Sequence, residues 1–403
     1  MSVFPTNDLI SLGRLVGPAT RLVVLPNVDT LYTLAHIDLR VQPLVLHVPD
    51  TGGRYYTMQL LDAYTNTFAY VGRRATGTHR GNYAIVGPRF HGRLPASVKR
   101  ITSPTPDVWL LGRTLVDGPS DLPRVVQIER KYSLTPLSVF VSGHTTPPIV
   151  ITGPLPQPKP KFSIPNDLRY FDLLGDALRS DPPPAGERGL LRLFASVGVG
   201  PGLHPSQEHL AATVRTALTA AITAGPRAIG AEVVREHNRS ARSHNGWLVP
   251  PAGTGNAGSD FLLRAVIATV GLGANVPAEA LYPIAMTDSF GRALSDNHDY
   301  VLHFRAGELP PVRAFWSVTM YATDLFLVPN PIDRYSVGDR TPGLRRSGDG
   351  SLDIYIAHSA PRGHESNWLP SPQGGFVLAL RLYQPTAAVL RDRWPLPIIR
   401  RIR

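Results

Sequence analysis

Four short apolar blocks occur twice in this chain, in the same order. Val45-Leu46-His47-Val48 is answered by Val301-Leu302-His303-Phe304, and Tyr55-Tyr56-Thr57-Met58-Gln59-Leu60 by Phe315-Trp316-Ser317-Val318-Thr319-Met320. Gly81-Asn82-Tyr83-Ala84-Ile85-Val86 aligns with Gly350-Ser351-Leu352-Asp353-Ile354-Tyr355, and Leu110-Leu111-Gly112-Arg113 with Leu378-Ala379-Leu380-Arg381. The blocks are rich in β-branched, aromatic and aliphatic side chains and are bounded by turn formers, the signature of short strands. Residues 41–118 and 298–386 are therefore expected to form similar β units. Two unrelated antiparallel sheets remain the alternative, because short strands resemble one another by chance.

The rest of the chain fits around these blocks. Strand-like runs (LVLHV, RYYTMQLL, NYAIVG, DVWLLGRTLV) fill the stretch from about Arg21 to Ile151, and YVLHFRAG, AFWSVTMYA, SLDIYIAHS and FVLALRLYQ fill that from about Asn275 to Pro385. The 40 Pro and 36 Gly are spread throughout, as many turns require. Within RYYTMQLL, alternation puts Tyr56, Met58 and Leu60 on one face and Tyr55, Thr57 and Gln59 on the other. Between the two zones TGPLPQPKPK reads as a stiff linker. Helical segments follow: NDLRYFDLLGDALRS, then SQEHLAATVRTALTAAITAG opened by Ser206, then RAIGAEVVREHNRS, then SDFLLRAVIATVGLG. Leu210, Val214, Leu218 and Ile222 step by four and are expected to pack on a sandwich. The expected architecture is mainly β with a helical insert: two antiparallel β-sandwich, jelly-roll-like domains joined by an α-helical segment. The divisions fall at 1–151 (N-terminal sandwich), 152–274 (Pro-rich linker and helical segment) and 275–403 (C-terminal sandwich).

Composition removes several function classes. There is no cysteine, so disulfides, thiolate metal sites and Cys nucleophiles are excluded. No apolar run is long enough for a transmembrane helix, and MSVFPTNDLISLGRLVG has no signal-peptide form. The net charge of +11 favours anionic partners, but the cations are scattered except at the terminus (Arg391, Arg393, Arg400, Arg401, Arg403), so no nucleic-acid partner is expected. There is no G-x-S-x-G elbow, no H-E-x-x-H (His364-Glu365 lacks the second His) and no Walker loop. Gly253-x-Gly255-x-x-Gly258 matches the dinucleotide pattern but follows Pro250-Pro251 rather than a strand. His204 and His209 are five apart, poor spacing for ligation from one helix face.

Longer motifs carry a family resemblance. LPNVDTLYTLAHIDLR, VPDTGGRYYTMQLLDAYTNTFAYVGRRATG and NYAIVGP resemble the N-terminal member, and HDYVLHFRAGELPPVRAFWSVTMYATDLFLVPNPIDRYSVGDRTPGLRR, SLDIYIAHSAP, ESNWLPSP and FVLALRLYQP the C-terminal member, of the paired bacterial domain-of-unknown-function families 1254 and 1214. The resemblance covers roughly residues 20 to 150 and 260 to 398. It implies two jelly-roll-like β-sandwiches joined by a helical segment, and no established activity. It also implies a longer helical N-terminus, often after an export signal. As written the chain is expected in the cytoplasm, and exported if a longer native N-terminus carries a signal.

The candidate site residues lie in polar, turn-rich motifs attached to apolar strands. Asn27-x-Asp29-Thr30-x-Tyr32 either fixes a tight turn or presents Asp29 as a general acid/base or hard-cation ligand. Asp62-x-x-Thr65-Asn66 sits at a strand end, as a solvated turn or a site. Asp333-Arg334 and Asp339-Arg340 form either a salt-bridged brace or an anion clamp built on planar guanidinium forks. Asn367-Trp368 offers an aromatic that fits a core or a sugar ring. Paired carboxylates suffice for hydrolysis or elimination. The leading reading is therefore a hydrolase or lyase acting on a polar saccharide or ester substrate in an inter-domain cleft. Asp29, Asp62, Asp333 and Asp339 would supply acid/base groups, and Asn27, Thr30, Tyr32, Asn66, Arg334, Arg340, Asn367 and Trp368 would hold substrate. The alternative is a non-catalytic ligand-binding or envelope-associated protein. No cofactor, metal or oligomeric state is assigned. A further expectation joins the motifs: Asn27–Tyr32 and Asp333–Arg340 line one cleft.

Overall fold

The structure, a computed structural model, describes residues 4–21, 23–154 and 163–402, with the backbone alone at 237–243. The Pro-rich linker lies mostly outside them. The first half contains β1 (Ile10–Leu12), β2 (Thr30–Asp38), β3 (Leu44–Val48), β4 (Tyr56–Asp62), β5 (Thr67–Gly72), β6 (Gly81–Val86), β7 (Lys99–Thr102), β8 (Asp107–Leu115), α1 (Leu122–Glu129), β9 (Ser133–Pro136), α2 (Leu137–Val141) and β10 (Ile149–Ile151). They build a six-stranded sheet, β10-β1-β2-β8-β4-β5, and a four-stranded one, β7-β6-β3-β9. The two sheets close over one apolar core that takes Ala35 and Ile37 from β2, Leu44 and Leu46 from β3, Tyr56, Met58 and Leu60 from β4, and Tyr83 and Ile85 from β6. Each fully buried aliphatic side chain there contributes about 1.5–3 kcal/mol. As the alternation requires, Gln59 points the other way, to Arg113 and Ala274.

The insert carries α3 (Arg169–Ser180), α4 (Arg188–Ala195), α5 (Ala212–Ser243), β11 (Trp247–Leu248) and α6 (Phe261–Val270). α5 begins at Ala212, six residues after the expected start, and runs on through Pro226. Ser206 is instead drawn away by α3: its N–H donates to Asp172 Oδ1 at 3.0 Å and its hydroxyl to Oδ2. The Leu210, Val214, Leu218 and Ile222 stripe is only half-buried. α6 is capped by Asp260, whose carboxylate accepts the Leu263 N–H at 3.0 Å.

The second half holds β12 (Ala280–Leu281), β13 (Ile284–Ala285), β14 (Tyr300–Phe304), β15 (Val312–Ala322), β16 (Ser336–Gly338), β17 (Leu352–Ala357), β18 (Trp368–Pro370), β19 (Phe376–Pro385), α7 (Ala387–Leu390) and β20 (Ile398–Arg401). Its sheets run β11-β13-β19-β15-β16, with β12 also on β19, and β18-β17-β14-β20. The protein is thus mainly β, two sandwiches with a helical segment between them. The strand order repeats: β2-β8-β4-β5 corresponds to β13-β19-β15-β16, and β7-β6-β3-β9 to β18-β17-β14-β20. Tyr56 opposes Thr114 and Trp316 opposes Leu382, so the two aromatics occupy equivalent strands. The third sequence block is corrected by two residues. Gly81 faces Val48, whereas Leu352, not Gly350, faces Phe304. In the corrected register His47 bonds Asn82 at 2.7 Å and His303 bonds Asp353 at 2.6 Å.

β19 is buried along its whole length. Leu378, Leu380 and Leu382 fill the core of the second sandwich. The other face meets the first half: Ala379 clusters with Leu25 and Val28, and Tyr383 with Tyr55. A strand covered on both faces loses the polar alternation.

Candidate functional site

The outward face of β2 and β8 is where the halves and the insert meet. Three cross-strand pairs run along it: Tyr32 opposite Arg113, Leu34 opposite Leu111, and His36 opposite Trp109. Four residues of strand span about 13 Å, so this face passes over that length from a charged, hydroxyl-bearing end through an apolar middle to His36 and Trp109, beside which Asp62 and Asp107 also line the space. Above it lies a cavity of about 940 Å³. Leu262, Leu263, Val266 and Ile267 of α6 form one wall, the chain from Val23 to Asn27 another, and Tyr282, Ile284, Ala379 and Arg381 of the second half close the polar end.

That polar end is a duplicated set. Arg113 on β8 and Arg381 on β19 are the last residues of the fourth repeated block. They are 6% and 5% exposed. Arg113 donates to Gln59 Oε1 (2.9 Å), to the Gly273 carbonyl (2.9 Å) and weakly to Asn275 Oδ1 (3.4 Å). Arg381 donates to Thr319 Oγ1 (3.2 Å), to the Leu25 carbonyl (2.6 Å) and to the Tyr321 hydroxyl. Asn27 Nδ2 donates to the Tyr32 hydroxyl at 2.7 Å, and Asn275 Nδ2 to the Tyr282 hydroxyl at 2.6 Å. The Asn27 amide orientation is fixed because its Oδ1 accepts from Asp29 N, Thr30 N and Thr30 Oγ1 at 2.9–3.0 Å. Burial pushes the Tyr282 phenol above its ordinary range, which keeps its proton on.

The other sequence-derived residues fall into separate groups. Asp29 accepts from Ser317 Oγ (2.7 Å) and Arg340 Nη2 (2.8 Å), while Arg340 Nη1 reaches Asp339 at 2.6 Å and its guanidinium lies 4.3 Å over Phe315. The Asn27 and Asp339 motifs therefore do meet across the two halves. Of Asp29, Asp339 and Arg340, however, none lines the cavity. Burial pushes the Asp339 carboxyl up to about 6, against the pull of Arg340. Asp62 does line the cavity. Its Oδ1 accepts the Tyr64 and Asn66 N–H groups, both at 2.9 Å, and burial pushes the carboxyl up. Asn66 Oδ1 takes the Ala257 N–H at 3.1 Å, docking the loop before α6.

Asp333 accepts from Tyr335 at 2.8 Å, and Arg334 Nη1 donates to the carbonyls of Glu365 (2.8 Å) and Trp368 (2.9 Å). Asn367 bridges the carbonyls of Arg345 (2.7 Å) and Asp353 (2.8 Å), and buried Trp368 donates from Nε1 to Ala357 O at 2.8 Å. Among the described residues no cluster of three or more imidazoles and carboxylates is placed to hold a metal ion, and no helix is long and apolar enough to cross a membrane.

Arg113 and Arg381 were in plain sight in the repeated Leu110–Arg113 and Leu378–Arg381 blocks. An arginine inside a mostly apolar, mostly buried strand, present in both copies of the block, is the signal that marks them.

No curated protein matches the chain. Among solved structures it is similar to the VPA0106 protein of Vibrio parahaemolyticus, at 24% identity and a TM-score of 0.71, over 99% of this chain and 92% of that one. That likeness shows a shared fold. An uncharacterized protein from Burkholderia cenocepacia aligns at 14% identity and a TM-score of 0.47, over 96% of this chain and 81% of that one. Residues 6–136 match the family described as "Protein of unknown function (DUF1254)" and residues 279–387 the one described as "Protein of unknown function (DUF1214)", so the chain joins these two families, DUF1254 first.

Proposed function

We propose that this is a ligand-binding protein that holds a small, largely apolar organic molecule in the cavity between the two sandwiches and α6. One observation carries the reading. A space of about 940 Å³ is walled largely by leucine, valine and isoleucine, yet buried Tyr32, Arg113 and Arg381 and half-buried Tyr282 line one end of it. Apolar walls with a few convergent polar groups are the usual form of a small-molecule site. The test is a neutral fluorescent probe of apolar cavities, together with mass spectrometry of organic extracts from the purified protein. Saturable, one-to-one probe binding that a wall substitution such as Val266→Trp abolishes without lowering Tm is the expected result. Binding that survives Val266→Trp sinks the reading.

A hydrolase or lyase acting on a saccharide or ester in the same space is the second reading. Asp62 favours it: of the four proposed acid/base carboxylates it is the one on the cavity wall, and burial raises its pKa as a general acid requires. Turnover of any member of an ester and glycoside panel, lost in Asp62→Asn, would favour this reading over simple binding.

A further inference from the structure

We propose that the ligand is an amphiphile with a single carboxylate head, clamped between Arg113 and Arg381, its apolar body lying along β2 and β8 under α6. This rests on the reading of the cavity as a binding site and adds the chemistry of what fills it.

The first support is a missing counter-charge. A buried cation is costly unless paired, and three other arginines are paired in this way. Arg54 meets Asp121 at 2.5 Å, Arg74 meets Glu279 at 2.5 Å, and Arg340 meets Asp29 at 2.8 Å. Arg113 and Arg381 are more buried than Arg74, yet among the described residues neither has a carboxylate within ion-pairing distance. Their partners are carbonyl, amide and hydroxyl oxygens. These neutral acceptors aim each guanidinium and leave its charge intact. Nε of Arg113 and Nη1 of Arg381 donate to no described acceptor.

The second support is the tyrosine pair. The Tyr32 hydroxyl accepts the Asn27 N–H at 3.0 Å and Nδ2 at 2.7 Å, and the Tyr282 hydroxyl accepts Asn275 Nδ2. With both lone pairs of the Tyr32 hydroxyl engaged, its remaining capacity is to donate, and the Tyr282 hydroxyl likewise keeps its proton free to donate. The rings bind the set together: Arg113 lies 5.9 Å over Tyr32 and Arg381 5.4 Å over Tyr282. Two guanidinium forks and two O–H donors around one space call for an acceptor with several lone pairs and a negative charge. A planar two-oxygen carboxylate suits the forks.

The third support is the direction of polarity. From the Tyr32·Arg113 pair the strand face passes to Leu34·Leu111, beneath Leu263, Val266 and Ile267. A head at the arginines would lay an apolar tail along that trough toward Trp109, short of the His36, Asp62 and Asp107 side chains at its far end.

The test compares dodecanoate with dodecan-1-ol, each displacing the neutral probe from the wild-type protein. Dodecanoate should compete about 10- to 100-fold better, the range that charged hydrogen bonds supply. Arg113→Gln and Arg381→Gln should each erase most of that preference of acid over alcohol, with melting curves confirming the fold. Equal competition by acid and alcohol in the wild type overturns the clamp and leaves the cavity reading standing. This comparison needs no variant, so it decides even if both substitutions unfold. Tighter competition by dodecyl phosphate than by dodecanoate overturns the carboxylate assignment. Failure of the probe to bind at all removes the cavity reading, and the clamp with it.

Discussion

Arg340, in the turn after β16, donates to Asp29, in the turn before β2, at 2.8 Å. The first half returns the contact: Arg74, after β5, donates to Glu279, before β12, at 2.5 Å. Because β5 corresponds to β16 and β2 to the strands at β12 and β13, the two ion pairs are one contact made twice. The halves meet as the copies of a two-fold dimer would, each offering the same arginine to the same carboxylate position. The Asn27 and Asp339 motifs are brought together by this docking.

The brace has a testable cost. Removing one partner leaves the other buried charge short of its hydrogen-bond partner. Arg340→Ala and Asp29→Ala should each lower stability by about 2–4 kcal/mol, and the double variant should lose less than the sum. Neutral-probe binding should persist in whatever fraction stays folded, since neither side chain lines the cavity. Were the two motifs a binding cleft, the substitutions would abolish binding at unchanged stability. Urea denaturation and probe titration of the same variants separate the outcomes.

The duplication also sets a steric demand. A Cβ on Gly72 would stand 2.4 Å from the Tyr56 carbonyl oxygen, and one on Gly338 2.3 Å from that of Trp316. Both contacts are to backbone of the neighbouring strand, which cannot swing aside. Gly72→Ala and Gly338→Ala should each cost about 1–3 kcal/mol or more. Gly77→Ala, whose Cβ meets nothing within 4 Å, controls for crowding but carries a left-handed φ of its own. If Gly72→Ala and Gly338→Ala denature at the wild-type midpoint, the strand register described here is wrong.

Glu129 gives a pH dependence of definite sign. It is fully buried, with Thr33 donating to its Oε1 at 3.2 Å, and burial pushes its pKa well above the ordinary 4.5. The folded protein therefore keeps a proton that the unfolded chain releases as pH rises past 4.5. Stability from this group is complete below that pH and declines above it. Asp339, pushed up to about 6 from 3.8, acts in the same direction between those values. Glu129→Gln should match wild type at pH 4 and exceed it at pH 7, in urea melts at both. A Gln variant that is less stable at pH 7 would mean that Glu129 is ionised in the fold.

What the sequence made legible follows from periodicity. Tyr56, Met58 and Leu60 declare their face by alternation alone, and β19 declares burial on both faces by having no alternation. A two-residue slip leaves a strand's faces unchanged, which is why Gly350 was aligned where Leu352 belongs. α5 starts later than its sequence pattern predicts because Ser206, a residue suited to a cap, is held by Asp172 instead. The cavity was invisible for a different reason. It lies between the outer faces of two sheets and an insert, and no local pattern encodes their docking. The Asp residues of the turn motifs have the side chains of acid/base chemistry, yet most serve turns and braces, whereas the buried arginines that line the cavity lie inside strands, where no turn signal marks them.

Asp62 is where the catalytic and structural readings part most cleanly. Its Oδ1 takes two backbone N–H groups, from Tyr64 and Asn66, and an asparagine oxygen can accept the same two. Asp62→Asn should therefore keep the turn and stay within about 1 kcal/mol of wild type. Asp62→Ala orphans both donors and should cost about 1–3 kcal/mol. If the turn is the whole role, ligand binding in Asp62→Asn equals wild type and no turnover distinguishes them. If Asp62 is a general acid, Asp62→Asn binds substrate normally and loses about 100-fold or more in kcat, because an amide cannot deliver the proton. The pH profile of any turnover then gives a second, independent reading. A buried acid with a raised pKa should hold activity to a higher pH than an exposed aspartic acid would, and the descending limb should vanish with the residual rate of Asp62→Asn.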